Sequence, residues 1–122
     1  MADSGGLAAK MKVLSDAYAA HLPEKFAQLE QVWQQLPRDV WDEQGFQTLC
    51  RMVHSLTGSG KTFGISALSD VARDLEEYLT QLAETKAALN EDQRNHVEHA
   101  ITQLRQASSQ RDDVPQVPIP TN

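Results

Sequence analysis

Phe46-Gln47-Thr48-Leu49-Cys50-Arg51-Met52-Val53-His54-Ser55-Leu56-Thr57-Gly58-Ser59-Gly60 sets its apolar residues at helical spacing. Phe46, Leu49, Cys50, Val53, Leu56 and Gly60 recur every three or four positions, the interval at which side chains return to one face of an α-helix. Asp42, just ahead of the run, stands where an N-cap is needed. Around Thr62 to Gly64 the pattern breaks, which marks the end of the helix.

The same period extends in both directions. Downstream, Leu68, Val71, Leu75, Leu79 and Leu82 share one helix face. Val97, Ala100, Ile101 and Leu104 share another, with Asn90 as its candidate cap. Upstream, Leu7, Met11, Leu14 and Tyr18 form a first amphipathic stretch, and Phe26, Leu29, Trp33 and Leu36 a second. Between those two, Pro23 predicts either a bend or the first turn of a new helix. Pro37 stops the second stretch, and Pro37 to Trp41 read as a connector. No β-branched alternation and no Asn-Gly or Asp-Gly hairpin signal interrupts the helical period. The expected fold is all-α: an antiparallel four-helix bundle over residues 7–107, with an additional N-terminal helical segment. From Ser108 the periodicity is lost, and Pro115, Pro118 and Pro120 forbid a helix. Residues 108–122 are therefore expected to form a disordered tail or linker stub.

Composition narrows the function. The 122 residues suit one domain, and 40% hydrophobic residues suffice for one core. A net charge of −6 argues against nucleic acid and against an anionic membrane surface, both of which demand basic patches. No stretch approaches the ~20 apolar residues of a membrane span. Met1 to Gly6 has neither the basic region nor the apolar run of a signal peptide, so a cytoplasmic location is expected. Cys50 is alone, which excludes an internal disulfide. His96 and His99 can share a helix face, but two ligands without a third make a weak metal site, and packing or surface roles are favoured. His21 stands beside the break at Pro23 and belongs to no motif. No metal and no cofactor are expected. Gly58-Ser59-Gly60-Lys61-Thr62 ends like a phosphate-binding loop, yet Ser55 occupies the position of the first glycine and a helix replaces the required strand.

A turn of ~100° per residue gathers Gln47, Arg51, His54, Gly58 and Lys61 on a flank beside the core stripe. His54 should then be partly supported by the bundle and partly open, as suits a nucleophile that must meet another protein. Gly58 lies one turn after His54, where glycine costs about 1 kcal/mol relative to alanine. Two readings stand for it: space for a partner approaching the imidazole, or one of several glycines marking a helix end.

His54-x-Leu56-x-Gly58-Ser59, followed by Phe63-Gly64, Leu68 and Leu75-Glu76, resembles the signature of histidine-containing phosphotransfer (HPt) domains. The wording from His54 to Gly64 is especially similar to the phosphotransfer domain of chemotaxis histidine kinases, and the strong match covers Phe46 to Leu79. Leu22-Pro23-Glu24-Lys25-Phe26-x-x-Leu29 also resembles the segment before the family's active helix. The resemblance implies a phosphoryl carrier of a two-component phosphorelay rather than an enzyme with its own kinase activity. His54 would accept the phosphoryl group from a receiver-domain aspartate or a sensor histidine kinase and pass it to a response regulator. A histidine with the reference pKa of about 6.5 is unprotonated often enough at neutral pH to attack. Glu76 follows inward Leu75 as His54 follows inward Val53, so antiparallel pairing puts both on corresponding flanks. By resemblance Glu76 orients the imidazole; the alternative is an exposed helix carboxylate. Family members usually carry a lysine three residues after the histidine, where this chain has Thr57. Thr57 and Lys61 are the candidate phosphoryl contacts, although Lys61 reads equally well as a solvated helix-end lysine. Gln47, Arg51, Ser55 and Gly58 are the candidate partner-binding residues of an expected monomer. The competing reading is a docking bundle that binds a receiver or kinase without being phosphorylated.

Overall fold

The computed structural model describes residues 3–112. Four helices account for most of them: α1 (Asp3–Gln35), α2 (Glu43–Thr62), α3 (Ser66–Thr85) and α4 (Glu91–Ala107). No strand occurs among the described residues, and no helix there is long and apolar enough to cross a membrane.

Caps fix where the helices begin. The Asp42 carboxylate accepts from the Gly45 amide at 3.2 Å and holds the first turn of α2. Asn90 and Gln93 form a reciprocal capping box, with backbone-to-side-chain bonds of 2.8 and 2.9 Å, that opens α4. The ends differ in kind. Lys86 closes α3 in a left-handed conformation at φ 51°, and Gly64 at φ 86° makes the turn between α2 and α3.

Cross-helix pairs establish the antiparallel order. Along α2 and α3 the structure pairs Gly60 with Ser69, Thr57 with Ser69 and Glu76, His54 with Glu76, and Glu43 with Lys86. Residue numbers fall on one helix as they rise on the other. On α1 and α2, Ser15 meets Phe63 and Tyr18 meets Ser59; on α1 and α4, Glu30 meets Arg105 and Trp33 meets Glu98. The core between them contains the expected inward residues Leu29, Leu49, Val53, Leu68, Leu75, Leu79, Val97 and Leu104, each 2% exposed or less. Cys50 and Val71 lie at its margin, and Ala72 rather than Val71 occupies the buried position on α3.

Two expectations change. The extra N-terminal segment is not separate: α1 runs through Pro23 without a break. Proline inside a helix costs about 3 kcal/mol through its lost donor and its clash with the preceding turn. Leu22 and Phe26 flank it at 2% and 3% exposure, and burying each is worth roughly 1.5–3 kcal/mol, so packing offsets the penalty. The stripe that predicted the first segment is also only partly buried. Tyr18 joins the core, whereas Leu7, Met11 and Leu14 are 63%, 46% and 51% exposed, because α1 extends past the bundle.

The second change concerns the boundary expected at Ser108. The chain past α4 turns back and Asp112 reaches the start of α3, where its carboxylate accepts from Ser66 N and Ser66 Oγ, both at 2.9 Å. Its own amide donates to Gly64 O at 2.7 Å. Ile65, the residue in the N-cap position of α3, offers no side-chain cap, so Asp112 supplies it from 46 residues away. Arg111 binds Ser15 and Asp16 of α1, each at 2.8 Å. The proline-containing part of the expected tail, 113–122, lies outside the described residues.

The two glycines near His54 have opposite surroundings. A Cβ on Gly60 would sit 3.0 Å from Ser69 N and 3.2 Å from Ile65 O, whereas one on Gly58 would meet nothing within 4 Å. Gly60→Ala is expected to destabilise the bundle by about 1–3 kcal/mol through overpacking against backbone. Gly58→Ala is expected to stabilise it by up to about 1 kcal/mol. Denaturant unfolding of both variants checks this, and the contrast fails if both move in the same direction.

Candidate functional site

His54 projects from the middle of α2 with its side chain 72% exposed. The preceding residue, Val53, is fully buried, so His54 lies on the flank beside the core stripe. Nδ1 lies 2.6 Å from Glu76 Oε2 on α3. Glu76 is less exposed, at 28%, and its other oxygen, Oε1, accepts from Thr57 Oγ1 at 3.2 Å. Thr57 Oγ1 is also 3.2 Å from Val53 O.

The contact defines the tautomer. An ionised carboxylate only accepts, so the Nδ1 that faces Glu76 must carry the ring proton. Nε2 is then left with its lone pair and makes no hydrogen bond within the described residues. Whenever the ring is neutral, this contact makes Nε2 the nitrogen with the free lone pair.

The other predicted residues divide. Gly58 is exposed, one turn beyond His54, with open space around it. Arg51 and Ser55 are exposed too, and with Lys25, Gln28, Thr48 and Met52 they line a groove of about 290 Å³ between α1 and α2. Gln47 lies further back on α2, where its amide donates to Glu43 Oε2 at 2.9 Å. Lys61 is exposed near the end of α2 and roughly 10 Å of helical rise from His54. It forms no ion pair among the described residues. Thr57 is turned toward Glu76 rather than toward the space around Nε2.

Sequence reasoning missed the α1 wall of the groove and the Thr57–Glu76 bond. A signal for the bond was present, since Thr57 follows Leu56 on the same side of the core stripe as His54 follows Val53. The remaining histidines stay apart from the site. His96 stacks on Tyr78 with ring centroids 3.8 Å apart, and no group of three or more His, Cys, Asp or Glu among the described residues is placed to hold a metal ion.

An exposed histidine in contact with a carboxylate on a four-helix bundle suits a class of proteins, the phosphohistidine carriers. The chain belongs to the Hpt domain family, whose model matches residues 13–107. Hpt domains transfer phosphoryl groups through histidine in phosphorelays, as partners of response regulators and kinases and without kinase activity of their own. Comparison with curated proteins gives no match, and neither does comparison with solved structures.

Cys50, one turn before His54, reports on the local charge. Burial pushes its thiol up, and the carboxylates of Glu76 and Glu43 push it further. Because the thiolate is the nucleophile, Cys50 is expected to react with iodoacetamide at pH 8 more slowly than N-acetylcysteine. Glu76→Gln is expected to raise that rate by less than unfolding does, since burial is the larger cause. Alkylation at the free-thiol rate in the folded wild type would contradict this environment.

Proposed function

We propose that His54 is the phosphoacceptor of a phosphorelay module and that Glu76 is its orienting residue. The single observation that carries this reading is the 2.6 Å contact of Nδ1 with Glu76 on a ring 72% exposed. Nε2 attacks the phosphorus of a receiver's aspartyl phosphate. The new N–P bond forms as the acyl P–O bond breaks, and the electron pair leaves with the aspartate carboxylate. The Nδ1 proton stays on the ring, where Glu76 balances the positive charge that the imidazole gains. The reverse step hands the group to the aspartate of another regulator. Gln47, Arg51, Ser55 and Gly58 contribute to the surface the receiver meets, and the cytoplasm is the proposed setting. Lys61, on the same flank, is retained only as a longer-range cation.

Labelling tests the acceptor. Incubation with a panel of phosphorylated receiver domains is expected to give acid-labile, base-stable label on wild type and none on His54→Gln. The variant's thermal melt should match wild type, because the ring lies outside the core. Label persisting on His21, His96 or His99 in His54→Gln would overturn the assignment. A wild type that binds receivers yet never acquires label would favour the docking bundle.

Gly58 separates recognition from folding. Gly58→Gln is expected to melt no earlier than wild type yet accept phosphate from its receiver at least about tenfold more slowly, a transition-state cost of ~1.4 kcal/mol. A melt and a transfer time course on one preparation decide it. Full-speed transfer would show that receivers do not approach along this side of α2, and an early melt would assign the glycine to the fold.

A further inference from the structure

Both carboxylate oxygens of Glu76 face α2. Oε2 meets His54 Nδ1, and Oε1 meets the Thr57 hydroxyl. A carboxylate held at one oxygen still rotates, because its terminal torsion has a broad profile. A donor on the second oxygen removes that freedom and fixes the plane in which Oε2 addresses the ring.

Thr57 is well built for this task. Its β-branched side chain has few helical rotamers, and the one it adopts sets Oγ1 within 3.2 Å of both Val53 O and Glu76 Oε1. The hydroxyl has one proton and two acceptors at the same 3.2 Å. Val53 O is neutral and already serves the helix ladder, whereas the carboxylate is charged, and charge-assisted bonds are roughly twice as strong. The proton therefore favours Glu76 and returns to Val53 O when Glu76 is lost. The Thr57 carbonyl is itself tied to α3, since it accepts from the buried Ser69 Oγ.

We infer that Thr57 is a positioning residue for phosphoryl transfer: its hydroxyl fixes the Glu76 carboxylate, which holds His54 in the tautomer with Nε2 bare. The inference rests on the reading of His54 as phosphoacceptor. It assigns Thr57 to the carboxylate side of the ring instead of to the phosphoryl group.

The test uses Thr57→Val, which keeps the shape and removes the hydroxyl, and Thr57→Ser, which keeps the hydroxyl. Phosphoramidate serves as donor, so that partner docking plays no part: Nε2 attacks phosphorus, the P–N bond breaks and ammonia leaves. Thr57→Val is expected to slow labelling of His54 about fivefold, as loss of one modest hydrogen bond implies. In ¹⁵N-histidine spectra at pH 8 the same variant is expected to lose part of the wild-type preference for Nδ1–H. Thr57→Ser should restore rate and tautomer to within about twofold. In a Glu76→Gln background, Thr57→Val is expected to add little, because the two residues act in series. An unchanged tautomer and rate in a folded Thr57→Val, failure of serine to rescue, or full additivity with Glu76→Gln would each overturn the inference. If Thr57→Val does not fold, Thr57→Ala takes its place with the same expectations, and an unchanged rate and tautomer in the folded alanine variant overturns the inference. Wild-type label at a site other than His54 would instead overturn the underlying reading, a distinct result.

Discussion

The close approach of α2 to α3 at Gly60 and Ser69 is the contact on which the rest of the molecule depends. The space that a side chain on Gly60 would need is filled by the Ser69 backbone, so the two helices meet there main chain to main chain. Ser69 Oγ, buried to 1% exposure, bonds the Thr57 carbonyl one turn back and locks the register. From that point antiparallel geometry determines which residues face each other. One or two turns along, His54 and Thr57 necessarily meet Glu76. A shift of one residue would carry Glu76 ~100° around α3 and remove it from the ring. The chemistry proposed for His54 thus depends on packing some 9 Å of helical rise away.

The turn that joins these helices has its own support. Gly64 adopts a positive φ and Ile65 is buried, which leaves the first turn of α3 without a local cap. Asp112 closes that gap from beyond α4, while Ser15 of α1 donates to Phe63 O at 2.7 Å from the other side. Arg111, beside Asp112, reaches Ser15 and Asp16, and the hydrogen bonds of Lys12 and then Arg111 hold the Asp16 carboxyl below the usual range. Polar contacts from both ends of the chain therefore converge on the turn that sets the α2–α3 register. Asp16 is exposed, so its ion pairs are worth little individually, and the cap to Ser66 is the stronger constraint.

Most of this was legible in the sequence because it depends on period. Apolar residues at helical intervals identified α2, α3, α4 and the second half of α1, and Asp42 and Asn90 stood where caps belong. The place of His54 beside the core was legible because Val53 and Leu56 fix the core face, whereas its expected role came from the resemblance to the family. Glu76 was placed by resemblance and by assuming antiparallel pairing, which the three-residue turn from Phe63 to Ile65 enforces. What the period could not convey was tertiary. Pro23 looked like a boundary, and only the burial of Leu22 and Phe26 on either side carries the helix through it. Leu7, Met11 and Leu14 repeat like core residues, but the bundle ends before it reaches them. Asp112 gave no signal at all, since a cap supplied across 46 residues leaves no local pattern.

The charge around His54 sharpens what the module can do alone. The group the fold presses against the ring is a carboxylate, and a phosphoryl group brings further negative charge of about −1.5 to −2 near neutral pH. Glu76 faces Nδ1, on the side of the ring away from Nε2, so the imidazole separates the two anions and its own positive charge lies between them. Arg51 is nearby on α2 but exposed, and Lys61 is two turns away, so neither is held in place for phosphate binding. A pocket built to retain phosphate would need fixed donors, such as paired arginines or a helix N-terminus. On the proposed reading of His54, the fixed groups act on the nucleophile instead, preparing nitrogen for attack and leaving the phosphoryl oxygens to solvent or partner. Such an arrangement orients the group without binding it tightly, as a carrier that must both accept and surrender it requires.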